Sequence, residues 1–219
     1  MIPSFAIERA QELIFDLNHF AEKKLLPKVK VYLDSPMAIK ATEVFKKHTK
    51  FYNEEIKLLL EKGDNPFEFP GLTYSNKVED SKKINQTNKP CIIIAGSGMC
   101  TAGRIKHHIK QNIGDPRNTI LFVGFQVIGS LGYWIKKGEK RIRLLGTERI
   151  VKAQVESIES FSAHADYNGL IDWIKNFKQK PKKVFITHGD EEATISLSDK
   201  IKKLNIKTYI PDMFEEILI

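Results

Sequence analysis

Cysteine is nearly absent: Cys91 and Cys100 are the two in 219 residues. They form no CxxC pair, and two cysteines in a chain of this length exclude a disulfide-stapled scaffold. No apolar run approaches the ~18 residues that a membrane-crossing helix needs. Internal repeats and low-complexity tracts are missing, and the start shows no basic segment followed by an apolar one. These absences set the expectation of a cytoplasmic protein with reduced thiols. Hydrophobic residues at 42% and charged residues at 28% exclude disorder. The length predicts one large domain, or one plus a fragment.

Acidic residues are also scarce relative to basic ones. Twenty-seven Asp and Glu face 35 Lys and Arg, a net charge of +8, and the isoelectric point is near 9.3. A surplus of that size attracts polyanions through its long-range field and through counterion release. A lysine-rich composition without such a partner is the plainer alternative. Nucleic acid is the stronger reading.

Periodicity places the elements. Apolar residues at spacings of three and four predict a helix from Ile7 to Lys24. Lys28 to Leu33 reads as a strand. Ser35 then stands as N-cap with Pro36 at the first helical position. Phe51 to Lys62 reads as a second amphipathic helix closed by Gly63. Pro90 to Ala95 is almost wholly apolar, as a strand buried on both faces should be. Gly96-Ser97-Gly98-Met99 leads from it into a helix over about 101–113. Thr119 to Phe125 is the next buried strand. Arg141–Leu145 and Arg149–Val155 read as a hairpin around Gly146, and 217–219 as a closing strand. Strands alternating with helices predict an α/β fold with a mainly parallel sheet flanked by helices.

Three motifs carry chemistry. The glycine loop sits between strand and helix, where backbone N–H groups and the helix dipole favour a phosphate. It lacks the third glycine of a dinucleotide fingerprint, since Thr101 stands there, and the Lys-Ser/Thr of a P-loop. An ordinary tight turn remains the alternative. His107 and His108 lie on the helix beyond it, and His108 shares a stripe with Arg104 and Ile105, which reads as packing or surface. His164 and His188 differ. They stand in small-residue frames, Ser162-Ala163-His164-Ala165-Asp166 and Thr187-His188-Gly189-Asp190, beside predicted strand ends, where α/β sites assemble. Two imidazoles near acids suit metal binding or acid/base work. Neither has an HxH or HxxxH partner, and Asp166 has a plain role as a helix N-cap.

Taken together, these segments resemble the β-CASP branch of metallo-β-lactamase-fold nucleases. The matching text is Ile2-Pro3-Ser4-Phe5-Ala6-Ile7-Glu8-Arg9-Ala10-Gln11-Glu12, Tyr32-Leu33-Asp34-Ser35-Pro36-Met37-Ala38, Ala95 to Met99, Gly103-Arg104 and Asp115-Pro116-Arg117-Asn118. It ends with Phe161 to Asp166 and Thr187 to Glu191, in the family's order along the whole chain. The resemblance implies a β-CASP domain over 1–160 and the C-terminal part of a metallo-β-lactamase domain over 161–219. It implies that His164 protonates the leaving 3′ oxygen and that His188 is a zinc ligand. Ser97, Gly98, Met99, Arg104 and Ser162 would meet RNA or its phosphates.

The departure from the family is large. Its zinc cluster begins with HxHxDH, and no such motif occurs in these 219 residues. The resemblance therefore implies the C-terminal part of a longer zinc-dependent ribonuclease whose intact form holds two zinc ions. The implied partners are single-stranded RNA, the N-terminal metallo-β-lactamase portion and a second copy of the chain. A non-catalytic RNA-binding module or scaffold subunit is the rival reading.

Overall fold

The computed structural model describes residues 1–162 and 164–218. Ala163, inside one motif, and Ile219, in the expected closing strand, lie outside the described residues. The chain divides into two compact units, Met1–Ser162 and Ala163–Ile219.

The first unit runs β1 (Ile2–Pro3), α1 (Arg9–Glu22), β2 (Lys30–Leu33), α2 (Pro36–Lys47), α3 (Glu54–Glu61), β3 (Leu72–Tyr74), α4 (Val78–Ile84) and β4 (Cys91–Ala95). It continues with α5 (Ile105–Asn112), β5 (Thr119–Phe122), α6 (Leu131–Lys136), β6 (Arg141–Leu144), β7 (Thr147–Ile150) and β8 (Gln154–Ser157). Four strands form a parallel sheet in the order β1-β4-β2-β3. Strand β5 pairs with β8, also parallel. It lies beside the residue preceding β1, where Leu121 N–H donates to Met1 O at 2.9 Å and the Met1 amine donates to Thr119 O at 2.8 Å.

Both faces of the sheet are covered, which is why its central strands are apolar throughout. Successive side chains point to opposite faces. Ile93 and Ala95 of β4 enter one core with Ile105, Ile109 and Ile113, while Ile94 enters the other with Leu13 and Ile14 of α1. Ile120 and Phe122 repeat the pattern against Leu121 and Val123.

In the second unit, α7 (Tyr167–Lys175), β9 (Lys183–Phe185), α8 (Glu191–Lys202) and β10 (Lys207–Tyr209) make a parallel pair of strands with two helices. Ile174, Ile186, Ile201 and Ile206 form its core. Among the described residues, no helix is long and apolar enough to cross a membrane.

The α/β class and the parallel sheet agree with the sequence reading; some boundaries do not. The helix expected from Thr101 begins only at Ile105, because 97–104 fold into a turn of their own. The helix expected from Phe51 begins at Glu54, capped by Asn53 Oδ1 on Ile56 N–H at 3.0 Å. The expected hairpin exists as β6 and β7, but its second arm ends at Ile150, and Gln154–Ser157 leaves to pair with β5. Residues 217 and 218 form no strand.

Candidate functional site

His164 and His188 line one cavity of about 480 Å³ in the second unit, together with Tyr167, Leu170, Thr194 and Leu197. His188 follows β9 in a left-handed conformation, φ +64°, a turn that ends the strand before Asp190 opens α8. His164 precedes Asp166, whose carboxylate caps α7 by accepting from Gly169 N–H at 2.8 Å. Two turns at helix entrances thus present both imidazoles, and both residues are exposed. An exposed imidazole can exchange a proton with a ligand or give an electron pair to a metal. Among the described residues, no group of three or more His, Cys, Asp or Glu could hold a metal ion. A zinc site needs at least three protein ligands. The donor set on this chain therefore does not fit a complete zinc centre.

The glycine loop follows β4. Most of its polar groups close on the loop itself. Ser97 Oγ accepts from Thr101 N–H and Ala102 N–H, each at 3.1 Å. Ser97 N–H donates to Ala102 O at 3.1 Å, and Ile105 N–H to Gly96 O at 3.1 Å. Gly103 sits at φ +72°, and a Cβ there would collide with the Gly96 carbonyl, so glycine is required. Gly98 is buried beside the Phe5 ring, where a Cβ would stand 3.1 Å from ring carbons. Its carbonyl accepts from Gln126 Nε2 at 3.0 Å. Ser97 and Met99 are half-buried and Ser162 is exposed.

Arg104 leaves this loop and turns inward. Its Nη1 donates to Asp34 Oδ1 at 2.7 Å and to Ser75 O at 2.8 Å, and its Nη2 donates to Asn76 O at 2.8 Å. Asp34 is fully buried at the end of β2. Its Oδ2 also accepts from Ser81 Oγ at 2.5 Å and bonds His108 Nε2 at 2.7 Å, while His108 Nδ1 faces Asn85 Oδ1 at 2.8 Å. Burial alone would raise the Asp34 carboxyl. The hydrogen bonds from His108, Ser81 and Arg104 outweigh it and hold the carboxyl below the usual carboxylate range.

This buried cluster escaped the sequence reading, which gave Asp34 no role of its own beside the Ser35–Pro36 helix start. The start is as expected, with Ser35 Oγ accepting from Ala38 N–H at 3.3 Å. The available signal was the shared stripe of Arg104 and His108. His108 is indeed a packed residue, with no exposed surface.

Residues 10–135 match the Beta-Casp domain, and residues 149–211 match the Zn-dependent metallo-hydrolase RNA specificity domain. The chain belongs to the β-CASP family. It is 38% identical over 197 residues to Ribonuclease TTHA0252 of Thermus thermophilus, covering 90% of this chain and 44% of that protein. It is 38% identical over 215 residues to Transcription termination factor FttA of Methanosarcina mazei, covering 95% of this chain and 34% of the relative. An RNase J-like protein of Methanocaldococcus jannaschii is 34% identical over 212 residues, 96% of this chain and 48% of its own length. The chain thus spans between a third and a half of these relatives. The match to the RNA specificity domain lies on its C-terminal side.

Proposed function

We propose that this chain is the RNA-binding and specificity part of a zinc-dependent ribonuclease that hydrolyses single-stranded RNA. The β-CASP portion covers 1–160 and the metallo-β-lactamase portion 161–219. The observation that carries the reading is the convergence of His164 and His188 on one cavity from two separate turns. His164 donates a proton to the departing 3′ oxygen, a role open to an exposed imidazole in the cavity. His188 offers one imidazole to the metal. The remaining ligands come from an N-terminal metallo-β-lactamase portion, a proposed partner in the complete site. A second copy of the chain is a further proposed partner, and the cytoplasm the proposed compartment. Ser97, Gly98, Met99, Arg104 and Ser162 are proposed to border the RNA, with Arg104 shaping the loop through Asp34 and leaving direct phosphate contact to its neighbours.

The donor set favours a second reading for these 219 residues taken alone: they bind RNA without cleaving it. Metal content tests this directly. After dialysis against zinc and then against metal-free buffer, elemental analysis is expected to find well under two zinc ions per chain, because two imidazoles with no third donor grouped beside them among the described residues bind weakly. Two tightly held ions would overturn that reading.

RNA binding is tested by salt. The net charge of +8 implies affinity for single-stranded RNA that falls about tenfold to a hundredfold between 50 and 200 mM salt, as counterions released from a few phosphates return. Titration of a labelled oligonucleotide at the two salt concentrations reads this. Affinity that ignores salt, or no binding at the lower concentration, would make the charge merely compositional.

A further inference from the structure

The positive charge is not spread evenly along the chain. Residues 131–155 hold seven Lys and Arg against two Glu, a surplus of five out of the chain's eight. The stretch covers α6, the β6–β7 hairpin and the entry to β8. Arg141 and Arg143 alternate with the buried Ile142 and Leu144, so both side chains leave β6 on the same exposed face. Arg141 pairs with Glu148 at 3.1 Å, whereas Arg143 and Lys137 have no ion-pair partner among the described residues.

Here an open cavity of about 470 Å³ is lined by Trp134, Glu139, Arg141 and Arg143, within the ~300–1,000 Å³ of ordinary ligand sites. Trp134 is one of two tryptophans in the chain and is 39% exposed. Its indole is held in place. The Tyr133 ring meets it edge-on, with centroids 5.0 Å apart at 75°, and Lys137 Nζ lies 5.6 Å from its centroid. An exposed indole fixed among cations has the makeup of a platform for single-stranded RNA, the ring taking a base and the cations the flanking phosphates. The position of α6 favours the same occupant. Gly132 N–H donates to Met99 O at 3.1 Å, and Gln126 Nε2, on the loop before α6, donates to Gly98 O at 3.0 Å. The glycine loop proposed to border the RNA is thus fastened to α6 two residues before Trp134.

We infer that the cavity between α6 and β6 is a further single-stranded RNA subsite, in which one base stacks on Trp134 and the adjoining phosphates meet Arg143, Arg141 and Lys137. The inference rests on the RNA-binding reading above and adds a place where a base is held as well as the backbone. Glu139 lines the cavity too. Its carboxylate repels a phosphate and accepts an N–H from a base edge, which turns the base inward and the backbone toward β6. All four bases carry an N–H and a flat ring face, so the subsite tolerates any sequence.

Trp134 reports on its own contacts once the other tryptophan is removed. In the Trp173→Phe chain, titration with a short oligoadenylate at low salt should quench the remaining emission as a base stacks on the indole. Polyphosphate and polyglutamate carry charge without bases and should leave the emission largely unchanged. Trp134→Ala should weaken binding of labelled oligoadenylate about tenfold. Trp134→Phe keeps a ring and should restore most of the affinity, which separates lost stacking from misfolding. Arg143→Gln should lower the slope of log affinity against log salt by about 0.7, the share of one phosphate contact. RNA that binds with the emission unchanged, and as tightly to Trp134→Ala, would overturn the subsite while leaving the RNA-binding reading in place. Equal quenching by polyphosphate or polyglutamate would also overturn it, because no base would be needed. If the native chain binds no RNA at low salt, the subsite and the RNA-binding reading fall together.

Discussion

Replacing His164 with alanine, in a polypeptide that also carries the remaining metal ligands, is expected to slow RNA cleavage by about 10²–10⁴-fold. That is the usual worth of a positioned acid or base. Bound zinc and RNA affinity should barely change, because the proposed role of His164 is to move a proton. His188→Ala should instead lose zinc together with activity, since a ligand cannot be removed from a site of three or four without loosening the rest. Turnover and bound zinc, measured on both variants, separate the roles although the two imidazoles share one cavity. If His164→Ala strips zinc while His188→Ala retains it, the assignments are reversed. If neither variant changes cleavage, the cavity is not the catalytic site.

The second large effect concerns stability. Asp34→Ala removes one carboxylate and strands three donors at once: Arg104, Ser81 and His108. Breaking a buried charged network by deleting one member costs about 3–5 kcal/mol. Asp34→Asn keeps the shape but not the charge and should cost less, about 1–3 kcal/mol. The pH dependence follows from the direction of the shift. Because folding depresses the Asp34 carboxyl, its contribution is complete above the unfolded pKa of about 4. It is lost as pH falls from there through the lower folded value. Urea midpoints at pH 7 and pH 3 should therefore converge between the native chain and Asp34→Asn. A constant gap at both pH values would show that ionisation of Asp34 contributes nothing. Loss of the network should also loosen the glycine loop, since Arg104 links Asp34 to its far end.

Strong local patterns were read correctly. The apolar run at Cys91–Ala95 needs two covered faces to be stable, and it has them. Ser35 before Pro36, and Asp166 before α7, are caps because a side-chain oxygen three residues ahead of a free N–H has one favourable use. The late start of α5 was harder to see. The segment Thr101–Arg104 follows the glycine loop directly, but Gly103 takes a left-handed φ of +72°, which no helix interior tolerates, and Ser97 Oγ closes the turn on the N–H groups of Thr101 and Ala102. Likewise Gln154–Ser157 looks like the rest of a hairpin arm until β5 supplies a parallel partner.

The sequence by itself determined the α/β class, the family, the charge that favours RNA and the two histidines worth testing. Each rests on residue type and order, and those are complete in one dimension. Only the tertiary structure decided which groups meet. It brought His164 and His188 to one cavity across an intervening helix and strand. It joined Asp34 to Arg104 and His108, 70 and 74 residues away. It also left Gln11 Oε1 buried without a hydrogen-bond donor among the described residues. Spacing along the chain cannot encode such meetings, because burial on a shared sheet sets which residues become neighbours, and a buried polar atom is satisfied or orphaned only after that packing is complete.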